Sequence, residues 1–375
     1  MSTRKASMSS IQNSKLNSVL ERLSATGAET VALQFPEGLK RQAWQFADEL
    51  KKHGYSVIIS GAPCWGACDL DIEALNDADV LIHYGHAPVD DTKGVIYEYL
   101  TQDIFACDDG FADADGRNGE NGGYVGNGIS EDEFRVLFKE AVSLFGADSG
   151  TPPEKIGLVT TIQHVHELPR VAGLLKEMGI EGIIANGSSR TPYAGQVLGC
   201  SYHAAVNTGC ADILFIGTGV FHPTGIALSA GVGVGGGDRK DGSPARVVAL
   251  DPFMKKVQLI STDRLLRQRF AKIDKAKSAE RFGIIVSKKS GQRREELARR
   301  LLALSEKAYL ITLGEITPDS LLNLGFDAYV NTSCPRLAYD DQARYPVPML
   351  SPQEFEIVCG VRRWEDYAID EFDNV

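Results

Sequence analysis

Long apolar runs are missing from this chain: no stretch approaches the ~18 uninterrupted apolar residues of a membrane span. The opening residues, MSTRKASMSSIQNSK, are polar and lack the apolar core of a secretory signal, so a cytoplasmic protein with no membrane partner is expected. Positive charge is also scarce. With 39 Lys and Arg against 50 Asp and Glu, the formal net charge is −11, which argues against direct binding of nucleic acid or an anionic membrane. The basic runs that do occur, RLLRQRFAKIDKAK and RREELARR, have helical spacing and read as solvated helix faces. Cysteines number seven, an odd count spread along the chain, so no disulfide framework is expected in a reducing compartment. The one close pair, Cys64 and Cys68, is C-x3-C without a second pair or a His at zinc-finger spacing. It is not the compact C-x3-C-x2-C cluster motif either, because Asp71 stands at the third position. The Gly-rich stretch 229–242 lacks the G-x-x-x-x-G-K-S/T pattern of a phosphate loop and reads as a hairpin turn between short strands.

What the chain does contain is ordinary globular composition, 43% hydrophobic and 24% charged, over 375 residues, enough for two or three domains. It also contains one pattern three times. The copies open at TVALQFPEGL (30–39), KIGLVTTIQH (155–164) and RFGIIVSKKS (281–290). Each begins with a short β-branched run and a polar turn, followed by an amphipathic helical stretch. Ala43, Phe46, Ala47 and Leu50 line the helix of the first copy, Val171, Leu174 and Leu175 that of the second, and Leu297, Leu301 and Leu302 that of the third. A second apolar run follows (SVIIS, GIIAN, AYLIT), then a second helical stretch and a third strand marked by Asp79, Asp212 and Asp327. Gly54 and Gly179 stand where helix C-caps are expected in the first two copies.

Strands alternating with helices predict parallel sheets, so the expected fold class is α/β, with three repeated small domains arranged pseudo-three-fold around a central site. The expected limits are 1–150, 151–275 and 276–375, with a flexible insertion at 108–128 rich in Gly, Asp and Asn. In open α/β sheets ligands bind beyond the carboxyl ends of the strands. Cys68 precedes Asp79 by eleven residues and Cys200 precedes Asp212 by twelve, each after the second strand of its copy, while Cys334 follows the third strand of the last copy. One cysteine per copy at that edge can supply three thiolates to a 4Fe–4S cluster and leave one iron open. Cys64, Cys107, Cys210 and Cys359 lack this repeat relation and read as buried small residues.

The strings LQFPEGL, PCWGACDLD, HYGHAPV, GQVLGCS and NTSCPR together resemble the archaeal diphthamide synthases, from about residue 30 to 360. The resemblance implies an unconventional radical enzyme with a 4Fe–4S cluster held by Cys68, Cys200 and Cys334 and with S-adenosylmethionine as co-substrate. It implies transfer of a 3-amino-3-carboxypropyl group to C2 of a histidine of translation elongation factor 2, the first step of diphthamide formation. An external electron donor, a homodimer and a cytoplasmic location belong to the same expectation. In related eukaryotic sequences the position matching Cys64 is not cysteine, which favours Cys68 as the ligand. Within that reading Gln34, Glu37 and Arg336 are expected to contact the co-substrate, Arg336 through its carboxylate. His83, His86 and His222 are expected to line the pocket as catalytic groups. Two alternatives stay open: a quinolinate synthase-like cluster enzyme, and an inactive cluster-bearing partner subunit.

Overall fold

The protein is described here from a computed structural model that covers residues 10–105, 128–146, 152–231 and 245–372. Cys107, most of the expected insertion and residues 232–242 of the Gly-rich stretch lie outside the described residues. Among the described residues no helix is long and apolar enough to cross a membrane.

The described strands form three sheets. The first contains β1 (Thr30–Gln34), β2 (Ser56–Ile59), β3 (Val80–Gly85) and β4 (Val95–Tyr99), all parallel, in the order β2-β1-β3-β4. The second contains β5 (Lys155–Thr160), β6 (Glu181–Ile183), β7 (Asp212–Ile216), β8 (Arg246–Asp251) and β9 (Lys256–Leu259) in the order β6-β5-β7-β8-β9. Only β9 is antiparallel there, paired with β8. The third contains β10 (Phe282–Ser287), β11 (Ala308–Leu313), β12 (Ala328–Asn331) and β13 (Met349–Leu350), parallel throughout, in the order β11-β10-β12-β13. Each sheet therefore places its first and third strands side by side and sends the second and fourth to opposite flanks. That reversal is a topological switch point, where a crevice opens beyond the strand ends.

The helical faces follow the expected spacing. Helix Ala43–Lys52 buries Ala43, Phe46, Ala47 and Leu50, and helix Leu168–Glu177 buries Val171, Leu174 and Leu175. In helix Glu295–Leu302, Leu301 is buried while Leu297 and Leu302 pack partly buried against the third core. Gly54 and Gly179 take positive φ, 92° and 76°, just past their helices, a left-handed conformation that costs glycine little. The marker aspartates do similar work in two copies. Asp79 Oδ2 accepts the N–H groups of Glu29 and Thr30 at 2.9 and 2.8 Å, and Asp327 Oδ2 those of Glu280 and Arg281 at 3.2 and 3.0 Å. Asp212 instead takes a two-point contact from Arg246 of β8, at 2.8 and 3.1 Å.

Several expectations change. A fourth strand joins each sheet. The second helical stretch shrinks to a 3-10 turn at Ile72–Asn76 and one helical turn at His203–Val206, and only Pro318–Leu324 is longer. Residues 229–231 end helix Phe221–Gly231, so the expected strand-turn-strand hairpin does not begin there. The chain divides into two compact units, one of residues 1–100 with 288–293, the other of 101–287 with 294–375. The second unit holds both the second and third sheets. Helix Glu131–Gly146, assigned on sequence to the first domain, packs Phe134, Phe138 and Phe145 with Ile156, Leu158 and Leu214 of the second sheet's core. Helix Asp263–Ala276 runs through the expected limit at 275 and packs Ile273 and Ala276 against Phe282 and Phe355. Its Arg269 departs from the solvated reading of that basic run: the side chain is fully buried. Arg269 pairs with Glu354 and donates to the carbonyls of Ala338 and Met349 at 2.6 and 2.7 Å. A buried charge needs that degree of satisfaction.

Candidate active site

In the first unit the switch point falls between β1 and β3, where Gln34, the last residue of β1, is the register partner of His83. Gln34 is fully buried and its amide is spent. Its Nε2 donates to Asp69 O at 2.7 Å, and its Oε1 accepts from the Asp71 N–H at 3.3 Å and faces His83 Nδ1 at 2.9 Å. Because an oxygen faces it, His83 Nδ1 carries the proton. Burial and the neighbouring His86 hold His83 neutral, its pKa lowered to about 3. His83 Nε2 is then an acceptor, and the proton in its 3.0 Å contact with His86 Nδ1 belongs to His86. His86, half-buried and with its pKa lowered to about 4 by burial, keeps an unprotonated Nε2. The chain Gln34–His83–His86 thus fixes two tautomers, a role of the kind second ligands play for catalytic imidazoles.

Cys64 is fully buried behind this pair, and its sulfur and one nitrogen of each histidine lie within 4.8 Å of one another. Burial, reinforced by the Asp69 carboxylate, pushes its thiol up to about 12. Glu37 closes the same loop. Its N–H donates to Cys64 O at 3.0 Å and its Oε1 accepts from Cys64 N at 3.1 Å and Lys40 Nζ at 2.6 Å. Lys40 and the Cys64 N–H hold the Glu37 carboxyl below the usual range. Gln34 and Glu37, expected to contact the co-substrate, therefore brace this unit's own loops: Gln34 has no polar atom left over, and one Glu37 oxygen is engaged twice.

Cys68, half-buried, accepts a hydrogen bond from Gln292 Nε2 at 3.3 Å. The same nitrogen lies 2.7 Å from Asp69 Oδ1, which also takes Lys289 Nζ at 3.0 Å. Gly291 packs so closely that an added Cβ would lie 2.6 Å from Cys68 Cα, so only glycine fits.

In the second unit Cys200 follows β6 and Cys334 follows β12, both half-buried. Burial raises the Cys200 thiol, while Arg190, which donates to it, and Arg294 pull the other way. Asn331 Nδ2 holds Cys334 O at 2.8 Å. Tyr202 is buried beside both thiols. Burial raises its phenol, and charge on either cysteine raises it further. His222 stacks on Phe215 at 5.9 Å, and burial, then Arg336, lowers its pKa to about 4. Arg336 is exposed and paired with Asp340 through Nη2 alone, at 2.5 Å, which leaves the other N–H groups of its five-donor fork for a second carboxylate. Cys210 is buried as expected, whereas Cys359 is only partly so.

Three groups that contact or face the thiols were not singled out on sequence: Gln292, Arg190 and Arg294. Gln292 and Arg294 lie in the loop after the first strand of the third copy, equivalent to that of Gln34 and Glu37, a correspondence that offered a signal. The donor set suits an iron–sulfur cluster. Cys68 and Cys200 each receive an N–H donor on sulfur, as cluster ligands do, whereas a structural zinc site takes four protein ligands.

A family model described as "Putative diphthamide synthesis protein" matches residues 35–110 and 129–368. The chain is 35% identical over 359 residues to the 2-(3-amino-3-carboxypropyl)histidine synthase of Pyrococcus horikoshii, covering 94% of this chain and 92% of the relative. It is 28% identical to subunit 1 of the same synthase from Nematostella vectensis, over 96% of this chain and 70% of that one. Among solved structures it is similar to Dph2 from Pyrococcus horikoshii with a 4Fe–4S cluster, with a TM-score of 0.76 and 32% identity, covering 95% and 93% of the two chains.

Proposed function

Since the chain belongs to the diphthamide synthesis family, we propose that it transfers a 3-amino-3-carboxypropyl group from S-adenosylmethionine to C2 of a histidine of translation elongation factor 2, by a radical route. It is a transferase that makes 2-(3-amino-3-carboxypropyl)histidine, the first diphthamide step, and it uses a 4Fe–4S cluster. Cys68, Cys200 and Cys334 are the proposed ligands, one from the loops of each of three sheets whose first four strands share one order, and that repetition is the observation that carries the reading. The family match sets aside the quinolinate synthase alternative. An external reductant, a homodimer, a cytoplasmic setting and one domain per sheet complete the proposal.

When bound, the cluster supplies one electron and an iron without a protein ligand. The remaining work belongs to the chain. Gln292 and Arg190 place N–H donors on Cys68 and Cys200, aimed where a metal-bound sulfur carries negative charge. His86 presents an unprotonated Nε2, suited to take up the proton released from C2 of the target imidazole, with Gln34 and His83 locking its tautomer. His222 and Arg336 contribute a neutral ring and a guanidinium in the second unit, Arg336 to pair with the co-substrate carboxylate.

Anaerobically reduced protein, incubated with carboxyl-labelled S-adenosylmethionine and elongation factor 2, should release methylthioadenosine and label the factor. Without methylthioadenosine the reading fails. Methylthioadenosine without label would refute the proposed acceptor. A bound cluster with neither product would favour the inactive-subunit alternative.

A further inference from the structure

Near its C-terminus the second unit carries a short segment that touches both of its candidate ligand loops. The Phe372 N–H donates to Cys200 O at 2.8 Å. Glu371 accepts the Tyr202 N–H at 2.8 Å and the Ser229 hydroxyl at 2.6 Å, tying the segment to the residues around Cys200. Asp370, almost fully buried, takes Arg294 through both carboxylate oxygens, at 2.9 and 2.6 Å. From that anchor Arg294 Nε donates to Thr332 O at 2.8 Å and Nη2 to Ser333 O at 3.2 Å, the two carbonyls just before Cys334. Two guanidiniums lie over the Phe372 ring, Arg190 at 4.4 Å and Arg294 at 4.2 Å from its centroid. Arg190 is the group that donates to Cys200.

We propose that Asp370–Phe372 is a strap that positions Cys200 and Cys334 for cluster binding, with Arg294 as its link to the Cys334 loop and Phe372 as the face that aims Arg190 at Cys200. The physical case is one of degrees of freedom. Both cysteines sit in loops, and a loop thiol holds a metal centre well only if its backbone and its hydrogen-bond donor are held too. A planar guanidinium clamped by a buried carboxylate holds two successive carbonyls in a fixed fork, whereas a lysine reaches its acceptors from one nitrogen on a flexible stem. An aromatic ring that meets two guanidiniums holds both by cation–π attraction without consuming their N–H donors. These are positioning residues: none of them needs to touch substrate. The inference rests on the proposed cluster reading, and the test keeps the two apart.

The test compares wild type, Arg294→Lys, which keeps the charge and loses the fork, and Phe372→Leu, which keeps an apolar side chain and loses the ring face. In reconstituted protein, both variants should lose iron to a chelator roughly tenfold faster than wild type, following the roughly tenfold or greater loss of metal affinity that removal of outer-shell partners causes. The reduced-cluster EPR signal should shift as well. In cluster-free protein, alkylation read by mass spectrometry should speed up at Cys200 and Cys334 together, with Cys210 and Cys359 unchanged. Unchanged iron loss and unchanged alkylation in both variants would overturn the strap, and so would equal acceleration at all four cysteines, which reports general loosening. A wild type that never acquires a 4Fe–4S cluster defeats the functional reading, while the alkylation arm still decides the strap.

Discussion

Cys68 and Cys200 occupy corresponding places, each in the loop after the second strand of its sheet, yet their surroundings differ. Cys68 receives a neutral amide from Gln292 and is packed against the Gly291 backbone. Cys200 receives a guanidinium from Arg190, with Arg294 also nearby. Repetition of a backbone thus leaves the electrostatics of each copy free to diverge. A cationic donor stabilises negative charge on sulfur far more than an amide does, so the proposed ligands are not electronically equal.

The largest effect tests whether the two are ligands at all. Serine at Cys68, Cys200 or Cys334 should abolish the brown absorbance and bound iron of reconstituted protein. Serine at Cys64 should preserve both, since that thiol is buried and held protonated. Iron loss at Cys64→Ser with retention at Cys68→Ser would break the correspondence between the copies. Next comes Gly291→Ala, whose methyl would lie 2.6 Å from Cys68 Cα. Overpacking of this kind costs about 1–3 kcal/mol, measurable as a lower urea midpoint. A milder effect separates the donors. Arg190→Gln should lower the cluster reduction potential by roughly 60 mV, the one-electron equivalent of a tenfold change, and Gln292→Leu by less, read by EPR-monitored titration. Equal shifts would erase the electrostatic contrast. The smallest effect concerns pH. His83 and His86 have folded-state pKa values of about 3 and about 4, below the ordinary 6.5. The unfolded chain therefore takes up protons first, so this contribution to stability is present above pH ~6.5 and is lost as pH falls toward 4. His83→Gln should flatten the decline in urea midpoint between pH 7 and pH 5.

Much of the fold was legible because burial patterns are local. Phe46 and Leu50, or Val171 and Leu175, announce their helix faces through spacing alone. β13 escaped notice because two residues, Met349 and Leu350, carry no period. The limit at residue 150 put Glu131–Gly146 with the first sheet, although the helix packs on the second, because a limit drawn from composition does not name a packing partner. The cysteines could be proposed as a set because each falls in a loop at the carboxyl end of a strand in its own copy of a repeated unit. Their neighbours could not. Arg294 sits in RREELARR, which reads as a solvated run, yet its partner Asp370 lies 76 residues on. Gln34, read as a co-substrate contact, became a brace for His83 once its three polar neighbours were in place.

By itself the sequence determined the three-fold repetition, the α/β class and the candidate thiols, because hydrophobic period and motif spacing act over a few turns of chain. Tertiary structure alone decided which donor meets which sulfur, which imidazole nitrogen keeps its lone pair, and how the C-terminal segment ties Cys200 to Cys334. Those outcomes depend on contacts between residues tens to hundreds of positions apart, where hydrogen bonds are chosen by packing rather than by neighbours in the chain.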